Sequence, residues 1–341
     1  MTASDPDREL RDPRVGELSE RAVLRAILAR LAPSSAVTGP GDDAAVIAAP
    51  DGRTVVSVDT LVHGPDFRLA WSSAFDLGWK AAAVNLADIA AMGARPTALL
   101  VALAMPEVTR LSFVEGLADG LRAACDDLAP GCTVEGGDLT VSDTLTIAVT
   151  ALGSLDGRAP VLRSGAQPGD SVAIAGEAGV AAHGLALLFE RFVDQDGTPT
   201  ALTGATLAQR LRSTDEATAV MRQLRPRPPI SMGALAADRG ATAMMDVSDG
   251  LALDATRIAD ASAVTIYIAS RSLGPDPRAA LVGGEDHALL ATFPPGADVD
   301  DGFVVIGSVL PRGSAPLLID GRPFEGRGGW DPYLDWDDAK G

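Results

Sequence analysis

Lysine and cysteine are both scarce in this chain of 341 residues. Its only lysines are Lys80 and Lys340, and its only cysteines are Cys125 and Cys132. Neither lysine lies in a G-x-x-x-x-G-K-[ST] or V-A-I-K segment, which excludes the P-loop and protein-kinase arrangements for holding nucleotide phosphates. The cysteines lack the spacing of a metal site or of a disulfide framework, so we expect ordinary thiols.

Long apolar runs and excess positive charge are also absent. No stretch approaches the roughly 20 apolar residues of a membrane span, and residues 1–14 contain no apolar signal region. The formal net charge of −18 would repel nucleic-acid phosphates and anionic membrane surfaces. The sequence therefore predicts a cytoplasmic protein that binds neither nucleic acid nor membrane.

Strand-like and helical patterns alternate along the chain, which predicts an α/β or α+β fold. The length predicts two domains, which we place at residues 1–157 and 158–341, with the loop 163–170 near the boundary. Helical patterns cover 16–31, 73–92, 110–129, 179–192 and 203–224, and another helix starts near Ser248. Strand-like runs cover 44–49, 54–62, 97–105, 133–137, 144–155, 171–177, 243–247, 264–269, 286–293 and 303–310, followed by a hairpin around Asp320.

Two local signals set particular boundaries. Ser73 and Asp76 have the spacing of a reciprocal helix cap, and Gly93 is placed to end the same helix. The turn sequence Pro50-Asp51-Gly52 predicts that runs 44–49 and 54–62 pair as a hairpin.

Aspartates beside glycine or inside apolar elements are the main chemical signal. They are Asp42, Asp59, Asp88, Asp138 and the pair Asp246 and Asp249. Any one of them could be a turn residue, a helix cap or a paired structural acid. Taken together, with hard oxygen ligands and glycines that permit close backbone approach, they favour magnesium and phosphate binding.

Asp88 is the most demanding of these carboxylates. It lies in KAAAVNLADIAAMG, where Asn85 is one turn earlier on the same helical face. An unpaired buried carboxylate is costly, so Asp88 needs a cation, a hydrogen-bonding partner or a raised pKa.

The ordered segments GDDAAV, SVDTLV, DLGWKAAAVNLADIAAMGARP, GGDL, RSGAQPGD, MMDVSDGLALD, GGEDHALL and GWDPY resemble the thiamine-monophosphate kinases. These enzymes belong to the superfamily typified by aminoimidazole ribonucleotide synthetase. The resemblance implies two α/β domains and a homodimer that pairs its N-terminal sheets. It also implies ATP-dependent phosphorylation of thiamine monophosphate to thiamine diphosphate.

The resemblance further implies roles for individual positions. The expected ligands of several magnesium ions are Asp42, Ser57, Asp59, Asp88, Asp138, Asp246 and Asp249. The expected ATP contacts are Gly137, Asp138, Arg163 and Ser248, and the expected contacts to the thiamine moiety are Glu285 and Trp330. Trp330 could instead be a packed C-terminal anchor. No general base is expected, because the acceptor phosphate is already largely dianionic at neutral pH.

Two positions depart from the family pattern. Val58 stands where a threonine usually helps to hold metal, and Asp66 stands where a substrate-contacting histidine is expected. Asp66 is therefore a candidate substrate contact, and His63, three residues earlier, is the alternative. Other enzymes of the superfamily remain open, as does a non-catalytic nucleotide-binding relative. Selenophosphate synthetase and the hydrogenase-maturation carbamoyl dehydratase are disfavoured, because this chain lacks a cysteine near either end.

Overall fold

The fold is built on two mixed β-sheets with helices packed against them. It was obtained as a computed structural model that describes residues 12–40, 44–299 and 301–330. In those ranges no helix combines the length and the apolar character needed to cross a bilayer. This architecture confirms the predicted mixture of helices and strands.

The first sheet contains β1 (Val55–Val62), β2 (Arg95–Met105), β3 (Thr133–Val141) and β4 (Thr146–Ser154). The strand order is β1-β4-β2-β3, so β1 and β3 are the two edges. β2 and β3 run parallel, whereas the other pairs are antiparallel. Side chains alternate between the two faces of each strand, and one face packs against helices.

Those helices are α2 (Ala74–Ala91) and α3 (Leu111–Leu128), preceded in the chain by α1 (Glu20–Leu28). The predicted cap is confirmed, because the Ser73 hydroxyl accepts from the Asp76 amide while the Asp76 carboxylate accepts from the Ser73 amide. Gly93 follows the helix with φ +73°, a conformation that glycine adopts without strain.

The second sheet contains β5 (Ser171–Ala175), β6 (Ala243–Val247), β7 (Val264–Ile268), β8 (Ala288–Phe293), β9 (Phe303–Pro311), β10 (Leu317–Ile319) and β11 (Arg322–Pro323). Its order is β11-β10-β7-β9-β5-β8-β6. The accompanying helices are α4 (Val180–Arg191), α5 (Gly204–Arg210), α6 (Thr214–Leu224), α7 (Ile230–Asp238), α8 (Leu251–Ala261) and α9 (Pro277–Val282).

Helix α2 lies where the two halves meet. Almost all of its residues are buried, and Ala90 packs in one core cluster with Met244 of β6 and Leu289 of β8. The approach to α7 is close, since a Cβ on Gly233 would lie 2.0 Å from the Ala90 carbonyl oxygen. The predicted boundary between residues 157 and 158 stays a prediction, although the two sheets fall on either side of it.

The predicted hairpin of 44–49 with 54–62 is wrong. Within the described residues of 44–49, Val46 forms only an isolated bridge with Thr38 and is 52% exposed. β1 pairs instead with β4, where Leu61 lies opposite Ile147. The reason is that alternating apolar residues select a partner by long-range packing, which the local turn sequence does not report.

Two predicted helices also differ from those in the structure. The helix expected over 16–31 begins only after its cap at Ser19, and the helix expected over 203–224 is divided because Ser213 caps a second one. Helices α7 and α9 were not predicted. The prolines before α7 looked like a break, whereas Pro229 caps its start, and proline is acceptable where a helix begins.

The α2–α3 contact depends on glycine, which gives a test of stability. A Cβ on Gly120 would lie 2.1 Å from the Phe75 carbonyl oxygen, so we expect Gly120→Ala to lower the free energy of unfolding by about 2 kcal/mol despite its better helix propensity. Gly204→Ala is the control, because no atom lies within 4 Å of its added Cβ. Urea unfolding of both variants provides the measurement, and equal stability would contradict the packing argument.

Candidate functional site

A group of carboxylates lies between β1, α2 and β6. Ser57 and Asp59 are on the face of β1 that points towards α2. The Ser57 hydroxyl donates to Asp88 Oδ2 at 2.5 Å, and the Asp59 amide donates to Asn85 Oδ1 at 2.9 Å. The structure therefore joins the predicted residues of β1 to those of α2.

The carboxylates of this group lie close enough together for their negative charges to repel one another. Burial, together with the nearby carboxylates of Asp246 and Asp59, raises the pKa of Asp88 to about 7. Burial also raises the pKa of Asp59, with Asp246 and Asp249 contributing in the same direction. A positive charge placed among these groups would stabilise their ionised forms.

His287 is a neighbour that the sequence reasoning missed. Its Nδ1 lies 3.2 Å from Asp246 Oδ2, and the side chain is only 5% exposed. Burial opposes protonation, but the hydrogen bond and the charge of Asp246 outweigh it and raise the pKa of His287. Glu285 and His287 both have positive φ, +73° and +53°, and such backbone conformations are frequent at functional sites. The signal in the sequence was the glycine pair just before them.

The donor set fits a hard divalent cation. It consists of carboxylate and hydroxyl oxygens, which magnesium prefers, and their mutual repulsion would be relieved by one. Among the residues that the structure describes, however, no three acidic, histidine or cysteine side chains are already arranged around one metal position. Asp42 lies outside the described residues. Asp249 is paired with Arg257, whose Nη1 lies 2.6 Å from Asp249 Oδ2.

A cavity of about 520 Å³ opens beside this group. Five predicted residues line it, namely Asp66, Ser248, Asp249, Glu285 and Trp330. Aromatic side chains that were not predicted line it as well: Phe67, Trp71 and Phe189. The rings of Trp71 and Phe189 meet edge to face with centroids 5.0 Å apart. The cavity thus combines aromatic walls with acidic groups.

Lys80 holds Glu285 in this cavity. Lys80 is buried, and its Nζ contacts Glu285 Oε2, to which Gln223 Nε2 also donates at 3.2 Å. Burial would raise the pKa of Glu285, but the charge of Lys80 outweighs it and lowers that pKa. From the sequence, Lys80 could be described only as a lysine that lies outside the known kinase motifs. Its role was not visible because its partner, Glu285, lies 205 positions further along the chain.

The two residues proposed as alternatives near β1 occupy different environments. The Asp66 carboxylate accepts a hydrogen bond from the Val62 amide at 2.7 Å, and burial raises its pKa. The His63 ring is tilted against Phe67 with centroids 5.6 Å apart, and burial lowers its pKa. Of the two, Asp66 is the one that lines the cavity, but neither is thereby shown to contact substrate.

Gly137 and Asp138 line a second cavity, of about 890 Å³, beside β3. A Cβ on Gly137 would lie 1.9 Å from the Val101 carbonyl oxygen, so only glycine fits. In the first sheet, Gly137 pairs with Val101, which pairs with Val149, which in turn pairs with Asp59. Gly137 and Asp59 therefore lie at the same height in the sheet but three strands apart, roughly 14 Å at the usual strand spacing. Within one chain, the structure therefore does not bring Asp138 to the carboxylates of β1.

Arg163 and Val58 also lie away from that group. Arg163 is exposed, its carbonyl accepts from the Ser262 hydroxyl, and it is not among the described residues that line either cavity. Val58 is 60% exposed and points to the face of β1 opposite Ser57 and Asp59. Having valine here in place of the usual threonine therefore does not remove a hydroxyl group from among the carboxylates.

The chain is similar to known proteins in both sequence and fold. Residues 41–155 match the family described as AIR synthase related protein, N-terminal domain. Thiamine-monophosphate kinase from Mycobacterium tuberculosis is 41% identical, with 98% of this chain and 97% of that protein covered.

Two solved structures are also similar. The crystal structure of thiamine-monophosphate kinase from Stenotrophomonas maltophilia K279a has a TM-score of 0.74 and 32% identity, covering 90% of this chain and 98% of that one. A structure described as AaThiL complexed with AMPPCP and TMP has a TM-score of 0.70 and 30% identity, covering 93% and 98%.

The crowding around Asp88 leads to a prediction about stability. In EDTA at pH 8, Asp88→Asn should raise the free energy of unfolding by about 2 kcal/mol, because it removes one buried charge from the group. Adding magnesium should stabilise the parent more than this variant. Thermal unfolding with and without the metal measures both effects.

Asp238→Asn serves as the control, because Asp238 pairs with Arg158 at the surface and is 53% exposed. It should change neither the stability in EDTA substantially nor the response to magnesium. An equal magnesium response in the parent and in Asp88→Asn would remove Asp88 from the candidate metal site.

Proposed function

The chain belongs to the thiamine-monophosphate kinase family, and on that premise we propose that it phosphorylates thiamine monophosphate with ATP, forming thiamine diphosphate and ADP. The observation that carries the proposal is the partly buried carboxylate group of β1, α2 and β6 beside an acidic, aromatic cavity. A similar protein has been solved with AMPPCP and TMP, and AMPPCP is an analogue of ATP. We assign nucleotide and metal binding to residues 1–157 and completion of the acceptor site to residues 158–341.

The 520 Å³ cavity is the proposed acceptor site. Thiamine carries a cationic thiazolium ring, which is attracted to aromatic faces and to carboxylates. We assign Trp330, Glu285 and Asp66 to contacts with the thiamine moiety. Lys80 and Gln223 keep the Glu285 carboxylate in place, so its orientation is set before substrate arrives.

The proposed nucleotide contacts are Gly137, Asp138, Arg163 and Ser248. Gly137 permits close approach because it has no side chain. Ser248 lines the acceptor cavity beside Asp249, a position from which it would face the phosphate that is transferred. Arg163 would add a positive charge for the nucleotide phosphates to those that Lys80 and Arg257 already supply beside the acceptor cavity.

Several magnesium ions are proposed to bind at Asp42, Ser57, Asp59, Asp88, Asp138, Asp246 and Asp249. When bound, they would offset the repulsion between the two anionic substrates and the protein carboxylates. His287 orients Asp246 through its Nδ1, and Asn85 fixes the backbone of Asp59. The protein's contribution is thus to hold these oxygens in place.

We propose direct, in-line transfer. An oxygen of the acceptor phosphate forms a bond to the γ-phosphorus of ATP as the bond to the β,γ-bridging oxygen breaks and ADP leaves. The acceptor phosphate has its second pKa near 6, so at neutral pH it needs no general base. The rate then depends on positioning, and no phosphoenzyme forms.

A second copy of the chain is the proposed partner. On the face of β1 that points away from α2, Val56 and Val58 are 59% and 60% exposed. A sheet face with such side chains is normally covered, and a symmetric dimer covers it with the same face of another copy. Dimerisation would also account for the distance between Asp138 and Asp59, because a second copy can contribute its own β3 edge.

The function is tested by measuring thiamine diphosphate directly after incubation with ATP, magnesium and thiamine monophosphate. We expect the parent to form it, and Asp88→Asn to lose at least about 100-fold in kcat/KM, with Asp238→Asn close to the parent. Transfer from ATP only to another acceptor would reject the substrate. Nucleotide binding without any turnover would instead support a non-catalytic relative.

The proposed dimer is tested by sedimentation velocity at micromolar concentration. Val58→Glu should weaken self-association at least about tenfold, since a buried charge would face the partner. Val304→Glu is a matched control, because Val304 is an equally exposed strand valine in the second sheet. A monomeric parent, or equal loss in both variants, would exclude this interface.

A further inference from the structure

Glu135 is a buried carboxylate that the mechanism above does not use. It lies on β3, two residues before Gly137, and is only 1% exposed. Its Oε1 accepts from the Ser35 amide at 2.9 Å and from the Ser35 hydroxyl at 3.2 Å. The hydroxyls of Ser34 and Thr133 also donate to this carboxylate.

These contacts compensate for the burial of a charge. Burial alone would raise the pKa of Glu135, but the hydrogen bonds from Ser34, Thr133 and Ser35 outweigh it and lower that pKa. Hydrogen bonds to an ionised acceptor are stronger than those to a neutral one. Three hydroxyl groups and one backbone amide are thus directed at a single carboxylate, which fixes its orientation.

The carboxylate connects two segments that are about 100 positions apart in the chain. Ser34 and Ser35 begin the segment 34–40, which turns back tightly on itself, since a Cβ on Gly39 would lie 2.3 Å from Ser34 Oγ. Gly39 and Pro40 then line the 890 Å³ cavity together with Gly137 and Asp138. Through its hydrogen bonds, Glu135 therefore connects the wall that contains Gly39 and Pro40 to the wall that contains Gly137 and Asp138.

We infer that Glu135 is a positioning residue for the nucleotide, holding the Gly39–Pro40 wall at a fixed distance from Gly137 and Asp138. This inference rests on the proposed function, because it assumes that these glycine-containing walls receive ATP. A positioning role affects nucleotide affinity. A merely structural role would lower stability and leave the affinity of the folded protein unchanged.

The decisive variant is Glu135→Gln. Glutamine keeps the size of the side chain, but it is uncharged and replaces one acceptor oxygen by an NH₂ donor that faces other donors. We expect the dissociation constant for Mg-ATP, measured by calorimetry in the absence of acceptor, to rise about tenfold. KM for ATP should rise in parallel, while kcat and KM for thiamine monophosphate change less than about threefold.

Asp320→Asn is the matched control, because Asp320 likewise accepts from a serine amide and hydroxyl, those of Ser270, but in the hairpin of β10 and β11. It should leave Mg-ATP affinity unchanged. Hydrogen exchange of residues 34–40 gives a readout that does not depend on activity. It should accelerate in Glu135→Gln at a temperature where the rest of the protein remains protected.

The opposite side of the contact gives a second test. Ser35→Ala should reproduce the loss of Mg-ATP affinity, and combining it with Glu135→Gln should add little, because both changes break one interaction. Additive losses would contradict the inference, as would parental affinity in Glu135→Gln. A parent that binds Mg-ATP but does not phosphorylate thiamine monophosphate would reject the proposed function alone, since the binding comparison still decides the role of Glu135.

Discussion

The repulsion among partly buried carboxylates is the constraint on which the rest of the site depends. Asp88 lies in a helix with almost no exposed residues, and its neighbours Asp59 and Asp246 carry the same charge. Such a group is unfavourable for folding unless a cation compensates for it. The surrounding contacts from Ser57, Asn85 and His287 fix where these oxygens point, so the protein maintains a costly arrangement suited to binding positive charge.

Helix α2 relates this group to the neighbouring cavity. It carries Asp88 and Asn85 at one part of its length and Lys80 two turns earlier, where Lys80 contacts Glu285. The same rigid element therefore fixes an acidic group and a cation that restrains a cavity carboxylate. In the proposed reaction, this would fix the distance between the metal-binding oxygens and the acceptor, which is the quantity that in-line transfer requires.

Local chemistry made part of this structure predictable from the sequence. The cap at Ser73, the end at Gly93 and most strands could be predicted because their signals lie within a few residues. The partner of β1 could not be predicted, since Leu61 and Ile147 are brought together only by the folded sheet. The aspartates were recognisable as candidates, whereas Lys80, His287 and Glu135 gained meaning only from partners distant in sequence. The separation of Asp138 from Asp59 likewise depends on strand order.

The burial of α2 on all sides also bears on how the chain folds. Its residues pack in one cluster with Met244 and Leu289, and Ala90 meets the backbone of Gly233. Loss of the second sheet would expose this mostly apolar helix to water, and loss of the first would remove its other covering surface. Unfolding of either half would therefore destabilise the other half. Although the described residues form two sheets, unfolding should be a single cooperative transition, with α2 as the shared element.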